Sequence, residues 1–276
     1  MSFGPRPWQQ RHWDWRAACN FVFGGTGGGL LVAAALDGQQ HGPVEALVGL
    51  AFVALGLGAV WLEIGRPWRA LNVMFNPFTS WMTRESFASL PLFGLGLAVA
   101  ARGGGMLAAL SALAALLFVY CQARILRGAK GIPAWREPAL TPLILATALA
   151  EGAGAACLLT AIAGTASGVP GAWLALALVA RAIAWPLYRV RVAKTVSPQA
   201  RTALDVAGRT LMQLGTIAPL ALLLAGMAFE PGAQAGTGFA GLAALAAGWQ
   251  FKYVLVTRAA FNQGFALPHL PVRGRG

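Results

Sequence analysis

The sequence predicts an all-α polytopic membrane helix bundle of about eight transmembrane helices. Three observations carry that prediction. Apolar residues make up 57% of the 276-residue chain and charged residues only 11%, against about 25% charged in a soluble domain. The mean hydropathy is +0.62, a membrane value held along the whole chain rather than in one segment. Basic residues gather in alternate gaps between the apolar runs. With about eight spans, one membrane domain over 1–276 leaves little room for a soluble one. Residues 1–16 form an N-terminal segment and 257–276 a tail.

A membrane-crossing helix needs about 20 apolar residues. Such runs lie near 17–36, 44–62, 86–101, 106–122, 139–163, 172–188, 208–229 and 236–256. The third, fourth and sixth are short. No segment ahead of the first run has the charged, apolar and small-residue order of a removable signal peptide, and none is expected.

Orientation follows from lysine and arginine. Seventeen of the 21 fall in the N-terminal segment, the second, fourth and sixth connections and the tail, whereas the opposite connections hold Arg102 alone. That split puts both termini in the cytoplasm and asks for an even number of spans. Nine of the ten tryptophans, all but Trp173, fall at or near the same side. The expected working face is therefore the cytoplasmic one, with Trp8, Trp13, Trp68, Trp81 and Trp135 expected to meet a partner protein there.

Several function classes are disfavoured. The net charge of +12 lies in loops beside spans, not in a stripe on a DNA-reading motif, so no nucleic-acid partner is expected. Cys19, Cys121 and Cys157 are far apart and match no iron–sulfur spacing. His12, His41 and His269 all lie outside the apolar runs, which excludes a haem held between two membrane histidines.

Three constellations can carry chemistry. Gly24, Gly25, Gly27, Gly28 and Gly29 in span one place small residues four apart, which lets helices approach closely. The same bare surface can instead leave room for a flat ligand ring facing Asn20. The second connection is the most polar stretch near the membrane. It runs from Trp61 and Glu63 through Arg66, Trp68 and Arg69 to Trp81, Arg84 and Glu85. A quinone site wants an apolar slot, hydrogen bonds to two carbonyl oxygens and a carboxylate for protons, and this stretch can supply all three. It can equally be a solvated loop whose arginines set topology. The third is Glu151 with Arg181, deep in spans five and six. At 1.5 Å per residue they lie roughly 18 Å and roughly 10 Å from the cytoplasmic edge. An interior ion pair is expected, structural or part of a proton path. Lys252 and Arg209, nearer the edge, are expected to snorkel.

The run Glu63-Ile-Gly65-Arg66-Pro67-Trp68-Arg69-Ala-Leu-Asn72, followed by Ser80-Trp81-Met82-Thr83-Arg84-Glu85, resembles the NrfD/DmsC-type membrane-anchor superfamily of polysulfide and dimethyl sulfoxide reductases. Tyr120 to Arg124 and Pro133 to Pro138 are similar to the same family. The opening Trp8 to Gly29 and the stretch from Phe261 look like a narrower branch, the anchors of phenylacetyl-CoA:acceptor oxidoreductase and cytoplasmic sulfite dehydrogenase. The resemblance implies a haem-free subunit of the bacterial inner membrane, with no iron–sulfur cluster of its own, that exchanges electrons with menaquinone or ubiquinone. It also implies an iron–sulfur subunit and a molybdopterin catalytic subunit on the cytoplasmic face. Asn20, Trp61, Glu63, Arg66, Trp68, Trp81, Arg84 and Glu85 would then line a quinone site at the cytoplasmic ends of spans one to four. Where dimethyl sulfoxide reductase anchors tend to carry histidine, this chain has Glu63. The rival expectation is a small-solute or ion transporter that uses Glu151 and Arg181.

Overall fold

A computed structural model gives the fold and describes residues 4, 6–37, 42–64, 67–165, 168–228 and 233–265. The eight long helices are α1 Trp15–Asp37, α2 Gly42–Glu63, α3 Trp81–Arg102, α4 Met106–Gly128, α5 Leu140–Ala163, α6 Gly168–Val192, α7 Pro198–Met227 and α8 Ala233–Thr257. Seven of them are long and apolar enough to cross a membrane. Only α3 falls short on apolarity, because its 22 residues include Arg84, Glu85 and Arg102. The chain is a multi-pass membrane protein.

The helices outrun the apolar stretches that announce them. The three short spans become helices of 22, 23 and 25 residues, and α7 begins ten residues before the expected start of its span. Arginines on the added turns, such as Arg189 and Arg201, can keep their stems on apolar surface and their heads in the polar layer. Helix continuity therefore outlasts hydropathy. Between α3 and α4 the chain reverses through Gly103 and Gly105, whose φ values of 83° and 73° suit glycine.

Helices α1 to α4 close into one four-helix ring, with α1 beside α2 and α4, and α3 beside both of those. In the second half α5 packs on α6 and α8, and α7 on α8. The halves join through α1 against α5. These two are the central helices: 78% of the apolar window of each is buried, against 33% for α2 and 22% for α7.

Glycine makes the centre possible. A Cβ on Gly27 would strike α2 at Gly49, one on Gly28 would strike Val119 of α4, and one on Gly29 would strike Ala148 of α5. The same holds for Gly152 against Gly29 and for Gly154 against Gly241. The glycine run of span one is thus a packing surface on several sides, and it leaves no slot for a ligand ring.

The two chain ends meet. Gly4 N–H donates to the Gln263 carbonyl at 2.6 Å, Gln10 N–H to Ala260 at 2.9 Å and Asn262 N–H to Trp8 at 3.0 Å. Both ends lie on one face, as an even number of crossings requires. This is called the terminal face below.

The packing makes a paired prediction. Gly152→Ala sets a methyl into the backbone of α1 and should cost about 1–3 kcal/mol, read as a lower unfolding temperature in detergent. Gly94→Ala meets no neighbour and should leave that temperature level or raised, since alanine favours helix by up to about 1 kcal/mol.

A candidate ligand site at the terminal face

A cavity of about 650 Å3 opens at the terminal face of the first ring. Its wall comes from the first turns of α1, the last turns of α2, the first turns of α3 and Ile125 of α4. Phe21, Leu57, Phe93 and Ile125 make it apolar, Trp13 and Trp61 add flat rings, and Asn20, Glu63, Glu85 and Ser86 supply the polar groups. Ligand sites commonly have this composition, at volumes of about 300–1,000 Å3.

Glu85 is buried, and its Oε1 accepts a hydrogen bond from Asn20 Nδ2 at 3.0 Å. Asn20 opens a π-helical turn, Asn20–Gly24. Such single turns interrupt the regular ladder and often mark functional positions. The buried Oδ1 of Asn20 has no hydrogen-bond partner among the described residues, so an acceptor is available for a bound hydroxyl. Glu63 is half-buried on the wall, and Trp61 is 59% exposed. Alongside, Asp14 and Arg16 pair at 2.8 Å, and Arg16 also donates to the Leu62 carbonyl at 3.1 Å. The Arg16 guanidinium holds the Asp14 carboxyl below its ordinary range.

Four of the residues expected at this site, Asn20, Trp61, Glu63 and Glu85, line the cavity. Three others do not, and Arg66 lies outside the described residues. Trp68, on a 3₁₀ segment over Pro67–Phe75, is 77% exposed. Trp81 has the guanidinium groups of both Arg84 and Arg124 over its ring, at 4.1 and 4.2 Å, and meets Tyr120 edge-on. Arg84 donates to the carbonyls of Pro77 and Phe78 at 2.8 and 2.7 Å. Ser80 caps α3 by accepting from Thr83 N–H, and Thr83 Oγ1 donates to the Val73 carbonyl. Ser80, Thr83 and Arg84 therefore build the loop beside the cavity with Trp81, while Met82 and the next residue, Glu85, line the cavity itself.

The interior charges also differ from expectation. Glu151 pairs with Lys252, with Nζ to Oε2 at 2.6 Å and both side chains fully buried. Side-chain direction explains the choice. In a helix the Cα–Cβ bond leans toward the N-terminus. Both α6 and α8 end at the terminal face, so Arg181 and Lys252 lean inward, whereas Glu151 on α5 leans toward that face. Lys252 starts five residues from the end of α8 and Glu151 eleven from the start of α5, roughly 8 and 16 Å deep, and the two lean toward each other. Arg181 starts at a depth similar to Glu151 and leans away. It donates instead to Thr216 Oγ1 at 3.2 Å, to the Ala244 carbonyl at 3.2 Å and to the Gly215 carbonyl. Gly215 and Thr216 belong to a second π-helical turn, Gln213–Ile217. Snorkelling by Lys252 would need the opposite lean.

Residues that sequence reasoning passed over complete the interior. Thr26 Oγ1 is 3.0 Å from Glu151 Oε2 and accepts from Trp249 Nε1 at 2.8 Å. Gln122 Nε2 donates to the Asn20 carbonyl at 2.8 Å. Trp135, expected in a partner-facing crust, is 2% exposed; its Nε1 donates to the Leu255 carbonyl at 2.9 Å and its ring stacks on Trp13 at 4.9 Å.

Two tests follow from this geometry. Arg84→Ala should weaken the 67–80 segment by about 1–3 kcal/mol, the worth of hydrogen bonds to a charged group, seen as faster limited proteolysis there. Glu151→Gln or Lys252→Met alone should cost about 3–5 kcal/mol, while the double variant should lose less than either, measured by unfolding in detergent.

No family model matches this chain, and no curated protein matches it.

Proposed function

We propose that the chain is the haem-free membrane anchor and quinone-reactive subunit of a molybdenum and iron–sulfur oxidoreductase in a bacterial inner membrane. The carrying observation is the terminal-face cavity, where an apolar and aromatic wall meets two carboxyl groups and a buried amide. The residues fit a quinone: the rings of Trp13 and Trp61 and the side chain of Phe21 form an apolar slot, and the free Asn20 Oδ1 accepts from a hydroxyl. A bound quinone supplies two-electron, two-proton redox chemistry. Glu85, oriented by Asn20, holds a proton inside the wall, and Glu63 holds one closer to the polar layer. Burial excludes bulk water from Glu85 and keeps its proton directed at the cavity.

Electrons would come from a partner. An iron–sulfur subunit carrying its cluster near the cavity, joined to a molybdopterin subunit, fits the basic face set by the charge split. That split makes the terminal face cytoplasmic. Of the tryptophans expected to meet the partner, Trp8 and Trp68 are 56% and 77% exposed and remain available. Electron flow toward quinone suits a substrate oxidised in the cytoplasm. The transporter reading rests on the interior charges, but Glu151 is fully buried, paired with Lys252 at 2.6 Å and packed against Gly248.

The test is binding. Decylubiquinone should quench tryptophan fluorescence of the detergent-purified full chain, through Trp13 and Trp61. Asn20→Leu and Glu85→Gln should weaken binding by roughly 5- to 100-fold, matching about 1–3 kcal/mol for a lost buried hydrogen bond. Trp81→Phe should leave it unchanged. Absence of quenching, together with solute uptake by liposomes bearing the pure chain, would make the chain a transporter.

A further inference from the structure

The cavity has a second, deeper part between α2 and α3. These two helices touch where Leu50 packs against the bare Gly96: a Cβ on Gly96 would stand 2.8 Å from the Leu50 side chain. That contact lies roughly 20 Å from the terminal ends of both helices. From there toward the terminal face, α2 and α3 line a cleft continuous with the cavity. On α2 its wall is Ala54, Leu57 and Trp61, which share with Leu50 one helical face. On α3 its wall includes Met82 and Phe93.

Depth, exposure and chemistry all set this cleft in hydrocarbon. Ala54 stands nine residues before the end of α2 and Phe93 twelve after the start of α3. They are therefore roughly 14 and 18 Å deep, in a membrane whose hydrocarbon core is about 30 Å thick. Ala54, Trp61 and Met82 line the cavity and are also exposed on the outside of the bundle. The residues around them that point outward, Leu55, Leu62 and Phe87, are apolar and exposed as well. Gly58 lines the cavity too, and a Cβ added to it would meet no atom within 4 Å. The side of the cavity is thus open to the acyl chains of the bilayer. The polar groups stay at the other end: Glu85 stands four residues into α3 and Glu63 ends α2. One end of the space suits a polar head, and the other suits a hydrocarbon chain.

We infer that the cleft between α2 and α3 is a tail channel. The ligand enters sideways from the bilayer, and its chain runs from the cavity past Gly58 and Ala54 toward Phe93. The inference rests on the reading of the cavity as the site of a redox head group. It adds that the chain is recognised by the protein and is not left free in lipid. Gly58 and Ala54 keep the channel open because they carry no bulk. They determine specificity for the chain and leave the head to Asn20, Glu63 and Glu85.

The test compares decylubiquinone with the same dimethoxy-methyl benzoquinone lacking the chain. Both are titrated against the tryptophan fluorescence of the full chain in one detergent. The unaltered protein should bind the chain-bearing compound at least about 10-fold more tightly, which roughly two buried methylenes supply. Ala54→Phe fills the channel and should cut that preference to about 2-fold or less, while the chainless ring keeps its affinity to within about 2-fold. Gly58→Leu should do the same. Its side chain enters open space, so it decides the matter even where Ala54→Phe fails to fold. Leu55→Phe adds a ring on the outward face and should keep the full preference. Equal affinities in the unaltered protein overturn the inference. So does an unchanged preference in Ala54→Phe and Gly58→Leu, which would give the cleft to a membrane lipid, or an equal loss of both compounds in them. Failure of both compounds to quench the unaltered protein is a separate result, and it overturns the head-group site itself.

Discussion

The bare backbone of α1 is the constraint on which the rest of this structure depends. A helix surrounded by three or four others must either hold them off with side chains or let their backbones touch its own. Here α1 does the second, through Gly27, Gly28 and Gly29 against α2, α4 and α5. In a bilayer no hydrophobic force draws helices together, since lipid is as apolar as leucine, so close van der Waals contact has to do that work. The same absence of Cβ atoms one turn earlier, at Gly24 and Gly25, makes room for the polar tips of Gln122 and Lys252. Packing and polarity thus share one feature of one helix.

Buried polarity in turn depends on the π turns. A regular helix in hydrocarbon spends its carbonyls on its own N–H groups and keeps only a second lone pair on each to offer. At both places where the described residues bury a cation fully, it reaches a π turn: Lys252 at Phe21 in α1, and Arg181 at Gly215 in α7. Each cation brings donors that a carboxylate alone would not exhaust. Carbonyls and hydroxyls take the remainder, as a buried charge demands.

Much of this architecture was legible in the sequence, because hydropathy and charge report directly on the solvent each residue meets. The span order, the even count implied by two ends on one face, and the location of polar residues at the ends of spans one to four all follow from such local signals. Direction and partner choice were less legible. Lys252 reads as an interfacial lysine by depth, and only the lean of its Cα–Cβ bond, combined with a glycine on the facing helix, turns it inward. Trp81 and Arg84 read as ligand groups by type and company. Their actual partners are Arg124, Tyr120 and the loop carbonyls of Pro77 and Phe78, and no spacing rule announces a side chain that folds back on its own connection. Gln122 and Thr26 gave faint signals: each is a lone polar residue within an apolar run, and each meets its partner across more than a hundred positions of chain.

The two carboxyl groups of the cavity wall occupy unlike surroundings, and that difference gives the proposed chemistry its order. Glu63 sits half-buried at the last residue of α2, close enough to the polar layer to exchange protons with water directly. Glu85 lies one turn inside α3, is 6% exposed and is fixed by Asn20. A proton spent from Glu63 can be replaced through the mouth even while a ligand lies in the cavity. One spent from Glu85 cannot, since the ligand then stands between it and the mouth. In the proposed chemistry Glu63 is therefore the acid that recharges while the cavity is occupied, and Glu85 the one that recharges when it empties.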